Sequence, residues 1–308
     1  GSLRWQTSPA VGLTPSTDFT GAVELNGLDP SARYDYRLLL DGAIVPGLTG
    51  SFKTLPLAGA PGHIRFALGS DLYFSDPGWE VFDRIAARQP DFLLMLGDQI
   101  SVDVPVPIPD TRDAYERKHR IYWAEPHLAR MMQAIPSVMM WDDHEIWNDW
   151  SVGKSGRYLN ARIAYDEYQG SHNPAPRLPG ETYFNFRSGP LDFYVLDTRS
   201  YRSPRSRPDA PGRTMLGTQQ KADLKDWLLT STAPFKIIGT PSTFSDFGTA
   251  SDTILTSSDS WHVLPAERAE ISDFVREHCI PGVILLSGDQ HWTGVFRLNM
   301  ASPYRLYE

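Results

Sequence analysis

FLLMLGDQI, residues 92–100, decides the fold. A run of apolar side chains at strand length, with no polar residue on either face, reads as a strand covered on both sides, and it ends in Gly97-Asp98. The pattern recurs. IRFALG is followed by Asp71, SVMMW by Asp142-Asp143-His144-Glu145, DFYVL by Asp197 and VILLSG by Asp289-Gln290-His291. Residues 63–68, 92–96, 137–141, 191–196, 235–238 and 282–286 are predicted strands, and 78–88, 113–132, 157–168, 218–229 and 265–278 have helical period between them. Such alternation specifies an α/β fold with buried sheets.

In α/β folds ligands gather outside the carboxyl ends of the strands, so the acidic residues that close these runs should converge on one rim. Crowded carboxylates repel unless cations lie among them, which predicts a metal centre. A single Gly-Asp after a strand is ordinarily a turn, and Asp142-Asp143 alone would be helix N-caps. Two Gly-Asp ends with an Asp-Asp-His-Glu between them are not explained that way. Asp289 and His291 lie two apart in an extended segment, which directs both to one face. Oxygen donors with imidazole suit Fe, Mn, Zn, Mg or Ca, and two adjacent ions would activate water for hydrolysis of a phosphoester.

Composition narrows the partners. With 29 Lys+Arg against 37 Asp+Glu the net charge is −8, so the chain carries no electrostatic footprint for nucleic acid or an anionic membrane. Cys279 is the single cysteine, which excludes an intrachain disulfide and a thiolate cluster. No run is long enough to span a bilayer, and the first residues, GSLRWQTSP, lack a signal-peptide pattern. Residues 1–57 have a different pattern, in which 3–7, 20–25, 34–40 and 50–55 are strand-like and separated by turn residues. LNGLDPSARYDYRLLLDG resembles the tyrosine-bearing corner of fibronectin type III-like domains, so this part is expected to be a small, incomplete β-sandwich. The Pro/Gly/Ala-rich stretch LPLAGAPGH places the boundary, with the catalytic domain expected over 58–308.

Taken together, FALGSD, FLLMLGDQI, MMWDDHEIWND, FYVLDTRSYR, TMLGTQQKADLKDWL, SDSWHVLPAER and LLSGDQH resemble the alkaline phosphatase D (PhoD-like) family, part of the calcineurin-like and purple-acid-phosphatase-like metallophosphoesterases. The resemblance runs in collinear order over about residues 60 to 300. It implies a four-layer αββα sandwich and hydrolysis of phosphodiesters and phosphomonoesters, either small molecules or polymers, by a metal-activated hydroxide at a two-metal site. It also implies export to the periplasm or medium. By position, Asp71, Asp98, Asp143, Asp289 and His291 look like metal ligands, with Asp98 bridging, and His144 like the general acid. Asn148, Arg199 and His262 look like substrate contacts, although Arg199 is equally read as the partner of a buried carboxylate. A further ligand is expected near 240–248, with Ser242 and Asp246 as candidates.

The family pattern commonly has Cys where this chain has Asp71 and Tyr where it has Ser101. Those are iron-ligand positions in the pattern, so the resemblance implies a harder site here, suited to Mn, Zn, Mg or Ca. The same departures raise a rival reading, a catalytically degenerate metal-binding member that serves recognition.

Overall fold

The computed structural model describes residues 5–75, 78–104, 107–154, 156–204, 210, 212–245, 260–291, 293–298 and 304–308. The chain begins with an antiparallel hairpin, β1 (Arg33–Leu40) and β2 (Ala43–Lys53). It continues through β3 (Phe66–Gly69), α1 (Val81–Ala87), β4 (Phe92–Leu96), α2 (Arg112–Trp123), α3 (Pro126–Ala134), β5 (Ser137–Met140) and α4 (Arg157–Tyr168). The second half holds β6 (Phe184–Ser188), β7 (Leu191–Val195), α5 (Gly217–Thr230), β8 (Phe235–Thr240), α6 (Pro265–Glu277), β9 (Val283–Ser287), β10 (Arg297–Leu298) and β11 (Leu306–Tyr307). Strands β3, β4 and β5 form a parallel sheet in that order. The other sheet runs β10-β11-β9-β8-β7-β6, parallel from β11 to β7 and antiparallel at both edges.

Side-chain alternation along β4 fixes the layers. Phe92, Leu94 and Leu96 share a core with Phe193 and Val195 of β7, Ile237 of β8 and Leu285 of β9. Leu93 and Met95 point the other way, to Phe82 of α1 and Leu128 and Met131 of α3. On β7, the Phe193 ring meets Phe92 edge-on at 5.4 Å, while the adjacent Tyr194 packs against Trp227 of α5 at 5.3 Å. Helices, two stacked sheets and helices therefore follow one another, matching the expected αββα order. Strand β4 is buried along its whole length because both of its faces are covered.

Three expectations need correction. The helix predicted over 113–132 is two helices. Proline at 126 disfavours the helical conformation at Glu125, which is extended (φ −65°, ψ 123°) and caps α3 by accepting the Leu128 N–H at 2.7 Å. The N-terminal β-sandwich is, among the described residues, a single hairpin. Residues 20–25 carry no strand, and most of β1 and β2 is exposed, since two strands cannot enclose a core of their own. The hairpin instead leans on α3, where the Tyr36 hydroxyl donates to the Gln133 carbonyl at 2.9 Å. Strand β6 is not among the predicted strands. Its signal is the Gly189-Pro190 turn between two short apolar-rich runs, the connection of a hairpin with β7. Among the described residues no helix is long and apolar enough to cross a membrane.

His119 in α2 is fully buried, stacked on Tyr168 at 5.1 Å, with Nδ1 3.0 Å from the Tyr115 carbonyl. Burial pulls its pKa from 6.5 down to about 4, against the raising effect of that hydrogen bond. The neutral form is the folded form, so its contribution is complete above about pH 6.5 and is lost as the pH falls towards 4. The full effect is about 3 kcal/mol at 1.36 kcal/mol per unit. His119→Phe is expected to lose less stability than the parent between pH 7 and pH 4.5, measured by urea unfolding at both values.

Candidate active site

Parallel pairing puts the carboxyl ends of β3, β4 and β5 together, and those of β8 and β9 lie across the sandwich. The chain leaves these ends in tight, left-handed turns: φ is 60° at Asp71, 56° at Asp98, 76° at Asp289 and 55° at His291. Non-glycine residues rarely adopt this conformation, and it is tolerated where the surroundings impose it. The preceding glycines have a separate reason. A Cβ on Gly97 (φ 87°) would lie 2.4 Å from the Asp142 Cβ, and one on Gly288 would lie 2.6 Å from the Leu96 carbonyl oxygen. Both Gly-Asp pairs mark close approaches between strand ends.

Four carboxylates converge there. Asp98, Asp142, Asp143 and Asp289 each offer an oxygen, and these atoms all lie within 4.8 Å of one another. Asp98, Asp142 and Asp143 are buried. Burial, then the charges of Asp143, Asp142, Glu145 and Asp71, push the Asp98 carboxyl well above the usual carboxylate range. A cation among these oxygens would remove that penalty, so the donor set fits metal ions. Asp71 and His291 adjoin the group. The Asp289 N–H donates to Asp71 Oδ2 at 3.1 Å, and His291 Nε2 lies 3.3 Å from Asp71 Oδ1, a buried oxygen that accepts no hydrogen bond. Cys279 is exposed beyond α6 and brings no sulfur to the site.

His144 stands beside the nest. Its backbone N–H donates to Asp98 Oδ1 at 3.0 Å, and its Nδ1 is 2.7 Å from Asp103 Oδ1. Asp103 also accepts the Asn148 N–H at 3.1 Å, which ties the loop after β5 to the loop after β4. Burial alone would lower the imidazole pKa, but the Asp103 hydrogen bond and the charges of Asp143, Asp103 and Glu145 outweigh it and push the group up to about 9. Sequence reasoning missed Asp103, which no strand end marks.

Glu145 closes the Asp-Asp-His-Glu motif, and the sequence assigns it no role of its own. It is fully buried, and its carboxylate accepts the N–H groups of Asp98 at 3.0 Å, Gln99 at 2.8 Å and Asp142 at 2.8 Å. It thereby fastens the turn after β4 to the turn after β5. Burial pushes its carboxyl up to about 7 against the pull of those three donors.

A cleft of about 1040 Å³ opens over the nest, lined by Asp71, Asp98, Ser101, His144, Gln290 and His291 among others. Asn148 is exposed. Arg199 is fully buried and does not line the cleft. It is paired with Asp142, the alternative that the residues alone left open. His262 is outside the described lining, and its neighbour Trp261 is buried, with Nε1 donating to Thr240 Oγ1 at 3.0 Å. Ser242 is buried with its hydroxyl 3.5 Å from Asp142 Oδ1, and Asp246 lies outside the described residues. Asp197, expected on the rim, instead folds the loop after β7, accepting the N–H groups of Arg199 at 2.9 Å and Ser200 at 3.0 Å. Asp142-Asp143 cap no helix, since the next one begins at Arg157.

A family model described as PhoD-like phosphatase matches residues 66–306. The chain belongs to that family. This PhoD-like chain is 29% identical over 327 aligned residues to alkaline phosphatase D of Bacillus subtilis (strain 168), covering 93% of its own length and 55% of the relative's. A solved structure of PhoD superposes with a TM-score of 0.80 at 27% identity, covering 93% of this chain and 62% of that one. A purple acid phosphatase from yellow lupin (Lupinus luteus) seeds superposes at 0.62 with 14% identity, over 88% of this chain and 45% of that one, a likeness of fold alone. The PhoD-like chain thus spans little more than half the length of the curated relative.

Glu145→Ala would leave three backbone N–H groups buried without an acceptor, each costing about 1–3 kcal/mol. A loss of about 3 kcal/mol or more in chemical denaturation is expected, with Glu145→Gln milder because it keeps one acceptor oxygen.

Proposed function

We propose that residues 58–308 form a metal-dependent phosphoester hydrolase acting on phosphodiesters and phosphomonoesters, outside the cytoplasm. The observation that carries this reading is the carboxylate nest placed against the His144–Asp103 pair at the floor of one cleft, in a chain of the PhoD-like phosphatase family. Asp98, Asp143 and Asp289, with Asp71 and His291 beside them, would hold the cations, which we take to be two. Bound there, such ions supply Lewis acidity to the phosphoryl oxygens and lower the pKa of water. Oxygens and imidazole with no thiolate favour Mn, Zn, Mg or Ca over an iron–thiolate centre.

The chain's own groups divide the rest of the work. Asp103 accepts the hydrogen bond of the His144 Nδ1–H and so orients the protonated ring, whose Nε2–H is then the proton given to the leaving oxygen. The bond from the His144 N–H to Asp98 Oδ1 sets this imidazole beside the nest. To Asn148, an exposed residue just beyond the Asp-Asp-His-Glu motif, this reading gives a contact with the metal or the phosphate. Nothing in this route needs a covalent enzyme intermediate.

Metal-stripped protein refilled with Mn, Zn, Fe, Ca or Mg in turn is expected to hydrolyse bis(p-nitrophenyl) phosphate or p-nitrophenyl phosphate. Asp98→Ala should abolish turnover, and His144→Ala should lower kcat about 10²–10⁴-fold. Silence with every ion, from folded protein that still binds metal, would favour the degenerate reading.

A second check uses pH. Protonated His144 is the active form, so activity falls as pH rises through its pKa. Asp103→Asn removes a raising influence, and the alkaline limb of kcat/KM should move to lower pH. An unmoved limb would refute the role given to Asp103.

A further inference from the structure

We propose that Arg199 is an internal cation of the carboxylate nest, one that removes Asp142 from the donor set and holds Asp143 and Asp289 near it before any ion binds. The inference rests on the metal-centre reading above and deepens it.

Four aspartates meet the geometric requirement for a ligand group, but their oxygens are not equally available. Asp142 Oδ1 accepts from Arg199 Nε at 2.5 Å, Thr198 Oγ1 at 3.1 Å and Ser242 Oγ at 3.5 Å, while Oδ2 accepts from Arg199 Nη2 at 2.6 Å. A guanidinium fork on both oxygens, with two hydroxyls added, engages the lone pairs that a metal would need. Asp98 Oδ1, by contrast, meets the His144 N–H from one side.

Arg199 also reaches past Asp142. Its Nη2 lies 3.1 Å from Asp143 Oδ1 and 3.8 Å from Asp289 Oδ1, and its Nη1 donates to the Trp150 carbonyl at 3.4 Å. It touches three of the four carboxylates and is shut off from solvent. Its position comes with the fold, because Asp197 accepts the Arg199 and Ser200 N–H groups and turns the loop after β7 inward. A guanidinium does not deprotonate in proteins, so this charge is permanent. It lowers the repulsion among the aspartates in the metal-free protein and weakens their pull on an incoming dication.

Calorimetric titration of Mn(II) into the metal-stripped full chain tests this, alongside the unfolding midpoint of the stripped protein. Asp142→Asn and the double variant Arg199→Met/Asp142→Asn should bind as many Mn(II) ions as the parent. Arg199→Met alone should bind Mn(II) at least tenfold more tightly or take up an additional ion. Its stripped form should melt lower than the parent, with the gap closing once Mn(II) is added. A lost ion in Asp142→Asn or in the double variant would make Asp142 a ligand and overturn the proposal. So would Mn(II) affinity in Arg199→Met that is unchanged or weaker. If stripped Arg199→Met fails to fold, the double variant decides by stoichiometry, since both charges of the pair are gone together. A parent that binds no Mn(II) would overturn the metal-dependent reading as well, whereas a wrong variant effect on a parent that binds it overturns this inference alone.

Discussion

Like charges brought together at the ends of buried strands repel, and much of the architecture around the cleft answers that repulsion. Asp98, Asp142, Asp143 and Asp289 stand within 4.8 Å of one another in surroundings that exclude water from most of them. Of two further charged groups packed against them, one adds to the repulsion and one offsets it. Glu145 adds a further carboxylate but faces three backbone N–H groups, which favour its charge and lock the turns that carry Asp98 and Asp142. Arg199 supplies a full positive charge to Asp142 and Asp143. What remains uncompensated is centred on Asp98, and there a cation is most favoured.

The same crowding explains the backbone. Left-handed conformations at Asp71, Asp98, Asp289 and His291 would be unfavourable in an isolated peptide. Hydrogen bonds hold two of these turns, since the Asp98 N–H donates to Glu145 and the Asp289 N–H donates to Asp71 Oδ2. Gly97 and Gly288 allow the turns to touch neighbouring strand ends.

Much of this is legible in the residues. Continuous apolar runs announce buried strands because a strand covered on both faces has no solvent side to make polar, and β4 and α4 fall where expected. The stretch 113–132 reads as one helix because its apolar period passes through Pro126 without a break. The N-terminal part misleads because strand-like alternation and turn residues indicate hairpins but not whether a second sheet exists to cover them. At the site, motif ends point to Asp98, Asp143 and Asp289, whereas Asp197 ends a run in the same way and shapes a loop.

By itself the sequence determined the alternation of strands and helices, the acidic character of the strand ends, the absence of thiolate donors and the family resemblance. These are local or compositional properties, set by periodicity and by residue type. Tertiary structure alone decided that Asp103 orients His144, that Glu145 joins two turns, and that Arg199 lies beneath the nest bonded to Asp142 and away from the cleft. Asp103 and His144 are 41 positions apart, Glu145 and Asp98 are 47 apart, and Arg199 and Asp142 are 57 apart. Which oxygens of a crowded carboxylate group stay open to a ligand depends on the directions from which donors approach, and only the packed chain sets those directions.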